Sequence, residues 1–209
     1  MVREGTLSTY DGDLDNDFLS ACVSQGQVAW DIETSGLDWR SDHIGTCQVA
    51  VGDDIAIVQL AGWGPPPRLA ALLESPDVKK VFHHAPFDLR FMAHQWNARP
   101  VNVACTKIAS KVLEPHLSAS EHSLKPVLLR HLGVQISKEQ QRSDWGAKDL
   151  RPEQIAYAAT DVRYLTQLLE TLLQKAADLG LADLIEQSFA YLPTRIALDL
   201  RGSGDVFAY

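Results

Sequence analysis

The chain has 209 residues, of which 45% are hydrophobic and 22% are charged. These fractions are close to the averages of soluble globular proteins and exclude a disordered, collagen-like or fibrous chain. The 19 Lys and Arg against 27 Asp and Glu give a net charge of −8. Proteins that bind a long duplex through its phosphates need many Lys and Arg contacts, so this charge argues against a protein of that class. A short nucleic acid is still compatible with it. The length predicts a single domain over residues 1–209.

The cysteines and the apolar runs indicate the compartment. Cys22, Cys47 and Cys105 lie far apart without a CxxC pair, so neither a disulfide framework nor a cysteine zinc site is indicated. The N-terminus has no apolar signal region, and no run approaches the roughly 18 apolar residues of a membrane span. We therefore expect a cytoplasmic protein that does not engage a membrane.

Strands come first along the chain. β-Branched and apolar runs bounded by Gly and Asp predict strands at 27–32, 46–51 and 55–60, the last two joined by a hairpin turn. The Gly- and Pro-rich segment 62–67 predicts a loop that leads into a helix over 68–74. A short strand at 78–82 and a helix at 87–96 follow.

The second half of the chain is predicted to be helical. Apolar spacing predicts them at 106–113, 124–132, 152–179 and, as a last pair, around 181–200. Pro152 fits a first helical position, and Gly180 fits a helix end. Strands followed by packed helices predict a layered α/β fold. The tail 201–209 combines glycines with aromatic residues, which suggests that it docks on another surface.

Two acidic residues stand where a core strand should be apolar. Asp31 and Glu33 are two residues apart on the first predicted strand, so their side chains leave the same face. Adjacent carboxylates repel each other, and a divalent cation between them would relieve the repulsion. Two solvated acids at a strand end would give the same pattern, so this pair alone is weak evidence.

Two further acidic positions lie on predicted helices. Asp88 sits in the opening turn of a helix that follows an apolar strand, where it could also interact only with the helix dipole. Tyr157 and Asp161 are four residues apart and share one helix face. A tyrosine hydroxyl that bonds its own helix neighbour is the alternative interpretation of that pair.

Together these positions predict phosphoryl-transfer chemistry. Carboxylates from a strand, a helix start and a late helix can surround two divalent ions, Mg²⁺ or Mn²⁺, which clamp the attacking and leaving oxygens of an in-line displacement. Tyr157 is placed to orient the attacking water by a hydrogen bond. The predicted metal ligands are Asp31, Glu33, Asp88 and Asp161.

The ordered set Asp31-Ile-Glu33, Asp88 and Tyr157-x3-Asp161 resembles the motifs of the DEDDy 3′→5′ exonucleases, in particular the ribonuclease D family. The segments 105–111 and 136–145 are also similar to family segments. The resemblance implies a ribonuclease H-like α/β fold, with a mixed central sheet flanked by helices. It also implies a metal-dependent exonuclease.

Within this family the chain is most similar to the stand-alone nanoRNase C type, which degrades diribonucleotides. The similarity lies in Thr34-Ser-Gly-Leu37, the stretch QQRSDWGA and the end Asp-Val-Phe-Ala. Ribonuclease D carries further helical domains, for which we expect no room in this chain. The resemblance implies short single-stranded RNA as substrate, with single-stranded DNA left open. It also implies a homo-oligomer, a ring of eight whose termini reach neighbouring subunits.

The resemblance assigns a role to each acidic residue. Asp31 would bridge both metals, and Glu33 and Asp161 would hold the metal that activates water. Asp88 would hold the metal at the leaving oxygen. Tyr157 would position the nucleophilic water.

The resemblance also implies substrate-binding residues, namely Thr34, Leu37, His83, Phe91, Lys138 and Gln141. Leu37 would act as an apolar wedge against the terminal base, and Phe91 would stack on a base. Lys138 would contact a phosphate. Alternatively, Leu37 is a buried leucine at a strand end, Phe91 packs in the core and Lys138 is a solvated surface lysine. His83 also fits a hydrogen-bonded core histidine. Trp145 is predicted to be structural, with its indole nitrogen bonded, and Asp144 to be a cap or turn residue.

Two other functions compete with hydrolysis of very short RNA. A general 3′→5′ exonuclease would act on longer RNA or single-stranded DNA. A catalytically inactive exonuclease fold would serve as a nucleic-acid-binding scaffold. The second has no chemical reason to keep four clustered carboxylates, because they are costly to bury without a metal.

Overall fold

The computed structural model describes residues 5–137, 140, 143–147 and 149–208. Six strands form one sheet: β1 Leu7–Asp11, β2 Gln27–Thr34, β3 Ile44–Val51, β4 Asp54–Gln59, β5 Lys79–Phe82 and β6 Val103–Cys105. The helices are α1 Asn16–Gln25, α2 Pro67–Glu74, α3 Ala85–Trp96, α4 Thr106–Leu113, α5 Leu124–Leu132, α6 Pro152–Arg163, α7 Leu165–Asp178 and α8 Ala182–Arg201, with a 3₁₀ turn at Ala119–His122. The predicted α/β fold with helices flanking a central sheet is confirmed.

The sheet is mixed, in the order β1-β4-β3-β2-β5-β6. The pairs β2–β3 and β3–β4 are antiparallel, whereas β1–β4, β2–β5 and β5–β6 are parallel. This order puts β5 directly beside β2. The helix that follows β5 therefore starts next to the strand that carries Asp31 and Glu33.

The core lies around the central strands. All eight residues of β3 are buried, as expected for a strand covered on both faces. On β2, Trp30 stacks on Phe82 with ring centroids 5.9 Å apart, and its indole N–H donates to Cys47 Sγ at 2.7 Å. The strand that carries the acidic pair is thus anchored on both sides.

Several elements differ from the sequence predictions. Three elements, β1, α1 and β6, were not predicted. Strand β1 alternates between exposed and half-buried residues, and β6 has only three residues. The helix predicted over 152–179 is two helices, which meet at Tyr164, where φ is −110° and ψ is 0°. The predicted last pair is one helix, α8, which continues through Pro193.

The predicted loop, helix start and helix end agree with the structure. The loop at 62–67 leads into α2, and Pro152 is the first residue of α6. Gly180 has a φ of +70° just beyond α7, a conformation that glycine adopts without steric cost.

The C-terminal tail contacts its own chain. The rings of Tyr191 on α8 and Phe207 lie 5.7 Å apart, and Arg195 pairs with Asp205 at 3.6 Å. Docking of this tail on a neighbouring subunit stays a prediction, and Tyr209 lies outside the described residues. Within the described ranges, no helix combines the length and apolar character that crossing a membrane requires.

The segment 143–147 is held over the sheet. The Gln154 side chain donates to the Asp144 carbonyl at 3.0 Å, and Arg151 donates to Ser143 Oγ at 3.0 Å. On the sheet side, the Trp145 carbonyl lies against Gly45 of β3, where an added Cβ would overlap it. The absence of a side chain at Gly45 therefore lets Trp145 approach the sheet.

We expect Gly45→Ala to lower the free energy of unfolding by about 1–3 kcal/mol, because the backbone around Trp145 must move away. Urea denaturation followed by tryptophan fluorescence measures this change. Gly64→Ala is the matched control, because an added Cβ there meets nothing within 4 Å and its φ is not positive. Equal stability of both variants would contradict the close approach.

Candidate active site

Three carboxylates converge at the end of β2. Asp31 and Glu33 lie on one face of the strand, opposite Gln48 and Thr46 of β3. Asp161 reaches them from α6. One ligand oxygen from each of these three carboxylates lies within 4.8 Å of the others. The predicted convergence of these three acids is therefore what the structure contains.

Asp88 lines the same cavity from the first turn of α3. Its side chain is 3% exposed, and its Oδ1 accepts a hydrogen bond from the Ile32 backbone N–H at 3.2 Å. Ile32 lies between Asp31 and Glu33. Asp88 is thus tied to the backbone of the strand that carries the other acids.

A strained residue introduces α3. His84 precedes the helix with φ 75° and ψ 39°, a left-handed conformation that non-glycine residues adopt rarely, and Pro86 lies in the first turn. Such strain persists where surrounding contacts impose it, often at functional sites. Burial, followed by the positive charges of Lys107, Arg90 and Lys111, lowers the pKa of His84 to about 4. Its imidazole is therefore neutral at pH 7.

The acidic residues disfavour one another's charge. Burial, followed by the charges of Asp88, Asp161 and Glu33, raises the pKa of Asp31 well above its usual value. Burial and the charges of Asp161 and Asp88 raise the pKa of Glu33 to about 9. Burial raises the pKa of Asp88 to about 8, against the lowering effect of its backbone hydrogen bonds. Without a cation, the site binds protons at neutral pH.

Tyr157 lies one helical turn before Asp161, and it lines the same cavity as the acidic residues. Burial and then the charges of Asp161 and Glu33 raise the pKa of Tyr157 further above its usual value. Its ring lies 6.0 Å from that of Trp145. The phenol therefore stays protonated and can donate a hydrogen bond.

The carboxylates open into a cavity of about 520 Å³, within the range of small-molecule sites. Besides the acids and Tyr157, it is lined by Ile32, Thr34, Ser35, Gly36, Leu37, His83, His84, Phe87, Lys107, Ser123, Leu124, Ile136, Ser143 and Trp145. Among the described residues that line it, Lys107 is the one lysine or arginine. A ligand with few phosphates suits this charge pattern better than a long strand.

The predicted substrate-binding residues Thr34, Leu37 and His83 all line this cavity. Leu37 is 83% exposed at its rim, so it is not the buried strand-end leucine of the alternative interpretation. Thr34 Oγ1 donates to the Gly36 carbonyl at 2.6 Å. The ring nitrogens of His83 lie 2.8 Å from Thr106 Oγ1 and 3.1 Å from the His122 carbonyl, so protein groups contact both of them.

The prediction for Phe91 is wrong. This side chain has no exposed surface, because it points from α3 into the core, and a fully buried ring cannot stack on a base. Phe87, one helical turn earlier, lines the cavity instead, with its ring 5.1 Å from that of Phe91. Lys138 and Gln141 lie outside the described residues.

The stretch near Trp145 agrees only partly with the predictions. Trp145 is buried as expected, but its indole Nε1 has no hydrogen-bond partner among the residues that the structure describes, in contrast to the prediction. The indole packs beside Tyr157 and contributes mainly apolar contact. Asp144 is the expected turn residue, since its Oδ1 accepts the Gly146 N–H at 3.1 Å.

Sequence reasoning missed Phe87, His84, Lys107 and Ser123 as cavity residues. Phe87 and His84 had a local signal, since both lie within four residues of Asp88. Lys107 lies in the segment 105–111, whose similarity to the family did not single it out. Ser123 had no signal, because only the packing of the turn before α5 brings it to the cavity.

The donor set fits a divalent cation. Hard carboxylate oxygens are the ligands that Mg²⁺ and Mn²⁺ prefer, and a shared cation would offset the repulsion between Asp31, Glu33 and Asp161. These three residues would hold it. When bound, such a cation lowers the pKa of water and stabilises negative charge on a phosphate.

A family model described as a 3′-5′ exonuclease matches residues 10–177. The chain belongs to the 3′-5′ exonuclease family. Among curated relatives, the ribonuclease D of Gluconacetobacter diazotrophicus is 32% identical over 146 residues, which are 69% of this chain and 36% of that protein. The chain spans 36 to 45% of the length of the ribonuclease D relatives it matches. These findings confirm the predicted family.

Solved exonuclease structures resemble the chain over nearly its whole length. Brucella melitensis NrnC is 38% identical with a TM-score of 0.90, covering 98% of each chain. The same protein bound to pGG is 37% identical with a TM-score of 0.89, covering 99% of this chain and all of that chain. Escherichia coli RNase D, at 21% identity and a TM-score of 0.78, covers 93% of this chain and 51% of that chain, and shares the fold. The predicted ribonuclease H-like exonuclease fold and the similarity to the nanoRNase C type are confirmed.

The raised carboxylate pKa values predict an unusual pH dependence of stability. The unfolded chain releases its Glu33 proton near the usual pKa of 4.5, whereas the metal-free folded state keeps it until about pH 9. The folded state therefore binds more protons across this window, and the contribution of Glu33 to stability is lost as the pH rises. We expect Glu33→Gln to raise the melting temperature of metal-free protein at pH 8 more than at pH 5.

Thermal melts in chelator at both pH values, compared between wild type and variant, isolate this contribution. Added Mg²⁺ should stabilise the wild type more at pH 8 than at pH 5, because protons compete with the cation. An equal effect of Glu33→Gln at both pH values would contradict the raised pKa of Glu33.

Proposed function

We propose that this protein is a metal-dependent 3′-5′ exoribonuclease that hydrolyses very short RNAs, diribonucleotides above all, to mononucleotides. The observation that carries the proposal is the cluster of Asp31, Glu33 and Asp161, with the Tyr157 side chain beside it, in a cavity that has Leu37 at its rim. This combination suits cleavage of a phosphodiester bond in a ligand held by its bases.

The substrate class rests on three observations. The solved NrnC structure that is similar over 99% of this chain has pGG bound. The cavity of about 520 Å³ suits a small ligand, and it contains one lysine among its described lining residues. The chain as a whole carries a net charge of −8, which disfavours long polyanions.

Each residue has a separate task in the proposed reaction. Asp31 would be shared by two divalent ions, Mg²⁺ or Mn²⁺, with Glu33 and Asp161 on one and Asp88 on the other. Solved NrnC with bound Mg²⁺ supports the choice of cation. The protonated Tyr157 hydroxyl would orient the attacking water without acting as a full base. Leu37 would separate the two bases at the rim, and His83 and Thr34 would shape the wall.

Assembly and substrate range belong to the same proposal. A homo-oligomeric ring with inward-facing sites would exclude long structured RNA by size. Ring assembly, a single domain over residues 1–209 and a cytoplasmic location stay predictions. Lys138 and Gln141 stay predicted contacts of the substrate.

We expect wild type to cleave a diribonucleotide much faster than longer strands. A metal-dependent turnover assay on 5′-labelled RNAs of two to twenty nucleotides measures this, with a dinucleotide of DNA in parallel. Asp161→Asn should abolish cleavage, since an amide is a poor ligand for a hard cation. Glu153→Gln is the matched control, because it neutralises an exposed carboxylate on the same helix and should leave cleavage unchanged.

Equal or faster trimming of the longer strands would favour the general exonuclease instead. No cleavage of any strand, together with no binding of Mg²⁺ or Mn²⁺ in calorimetry, would favour the inactive scaffold.

We expect Tyr157→Phe to lower kcat by about 10²–10⁴-fold, the usual contribution of a group that manages a proton. The binding of Mg²⁺ or Mn²⁺ should be unchanged, because the phenol is not among the carboxylate ligands. Single-turnover rates and titration calorimetry separate the two effects. A variant as active as the parent would overturn the water-orienting role.

A further inference from the structure

Leu37 is an exposed apolar residue on the loop between two strands of the sheet. The loop joins β2 to β3, and it exposes 83% of a large apolar side chain at the cavity rim. An exposed leucine on a free loop would have to be ordered on every binding event, and ordering a loop and a side chain lowers affinity. A wedge therefore needs a rigid support.

Asp42 makes the contacts that close this loop. Its Oδ2 accepts the backbone N–H of Asp38 at 2.8 Å, and its own N–H donates to the Asp38 carbonyl at 2.8 Å. The Asp42 carbonyl accepts from Gln95 Nε2 at 2.8 Å, and Gln95 Oε1 accepts the Ile44 N–H at 3.2 Å. Gln95 lies on α3, the helix that carries Asp88. Asp42 thus connects the loop to the scaffold of the acidic site.

The Asp42 carboxylate also lies against Gly36. A Cβ built on Gly36 would lie 2.5 Å from Asp42 Cγ and 2.7 Å from its Oδ1, so a side chain at this position would displace the Asp42 carboxylate. The Gly36 carbonyl accepts from Thr34 Oγ1 at 2.6 Å. Both chain neighbours of Leu37, Gly36 and Asp38, therefore contact the same carboxylate.

We propose that Asp42 is a positioning residue that holds Leu37 at the cavity rim in the orientation needed to separate the two bases of a dinucleotide. The inference rests on the proposed function, in which Leu37 contacts the substrate. Asp42 itself is not among the described residues that line the cavity. Its carboxylate acts as the acceptor that fixes the turn around Leu37.

This role predicts a selective defect. Loss of the carboxylate frees the backbone on both sides of Leu37, and the substrate must then order it. The KM for a dinucleotide rises, while the Asp31, Glu33 and Asp161 cluster is untouched. A substrate with one base has nothing for the wedge to separate, so its turnover is unchanged.

The experiment compares the dinucleotide pGG with the p-nitrophenyl ester of thymidine 5′-monophosphate, which carries a single base. We expect Asp42→Ala to raise the KM for pGG on the order of tenfold, the effect of ordering one to two extra side chains. Hydrolysis of the ester should stay at the wild-type level. Asp42→Asn should restore most of the pGG affinity, because its amide oxygen still accepts from Asp38.

Two further variants test the connection to Leu37. Leu37→Ala should raise the KM for pGG, and adding Asp42→Ala to it should have no further effect, since both act through one contact. Gly36→Ala should resemble Asp42→Ala, because its new methyl group displaces the carboxylate. Ser41→Ala is the matched control: it truncates an exposed side chain next to Asp42 on the same loop and keeps both the Asp42 carboxylate and the Asp38 backbone N–H that it accepts.

The outcomes separate the inference from the function it rests on. If Leu37→Ala raises the KM for pGG and Asp42→Ala does not, the positioning role is overturned and the proposed function stands. Equal loss on both substrates with Asp42→Ala also overturns it, since that marks a general structural defect. If Leu37→Ala leaves pGG turnover unchanged, the wedge of the proposed function fails and the positioning role fails with it.

Discussion

The repulsion among buried carboxylates at the end of β2 is the constraint on which the site depends. Asp31, Glu33 and Asp161 bring ligand oxygens within 4.8 Å of one another, and burial raises the pKa of Asp31 and Glu33. Such a group is unfavourable at neutral pH unless protons or a cation compensate its charge. The surrounding fold therefore holds these carboxylates close together although they repel one another. A site that binds a cation through several carboxylates requires such an arrangement.

The order of strands in the sheet holds the acidic residues together. Because β5 pairs with β2, α3 begins beside the acidic strand, and Asp88 can accept a hydrogen bond from the Ile32 backbone. The strained His84 marks where the chain leaves β5 to make this approach. On the opposite side, α3 also holds the β2–β3 loop through Gln95. The helix α3 thus positions both Asp88 and the loop that carries Leu37, so the acidic end and the rim of the cavity share one rigid element.

Local patterns predicted the elements whose burial is regular. The acidic residues of β2 stood out because a buried strand rarely carries two carboxylates on one face, and Tyr157 and Asp161 stood out by helical spacing. The edge strand β1 was missed because its residues alternate without clear burial, and its pairing with β4 joins distant parts of the chain. The break at Tyr164 left no glycine or proline in the sequence, so one long helix was predicted where two exist.

The sequence by itself determined which chemistry this protein is built for, because the identity and order of Asp31, Glu33, Asp88, Tyr157 and Asp161 reside in the chain. Tertiary structure alone decided which side chains share the cavity. Phe91 and Phe87 are both aromatic and one turn apart on α3, yet only Phe87 faces the cavity, since the orientation of a helix is set by what it packs against. Lys107 reaches the cavity, and Gln95 of α3 reaches the Asp42 carbonyl, likewise through contacts between segments, which spacing along one chain cannot encode.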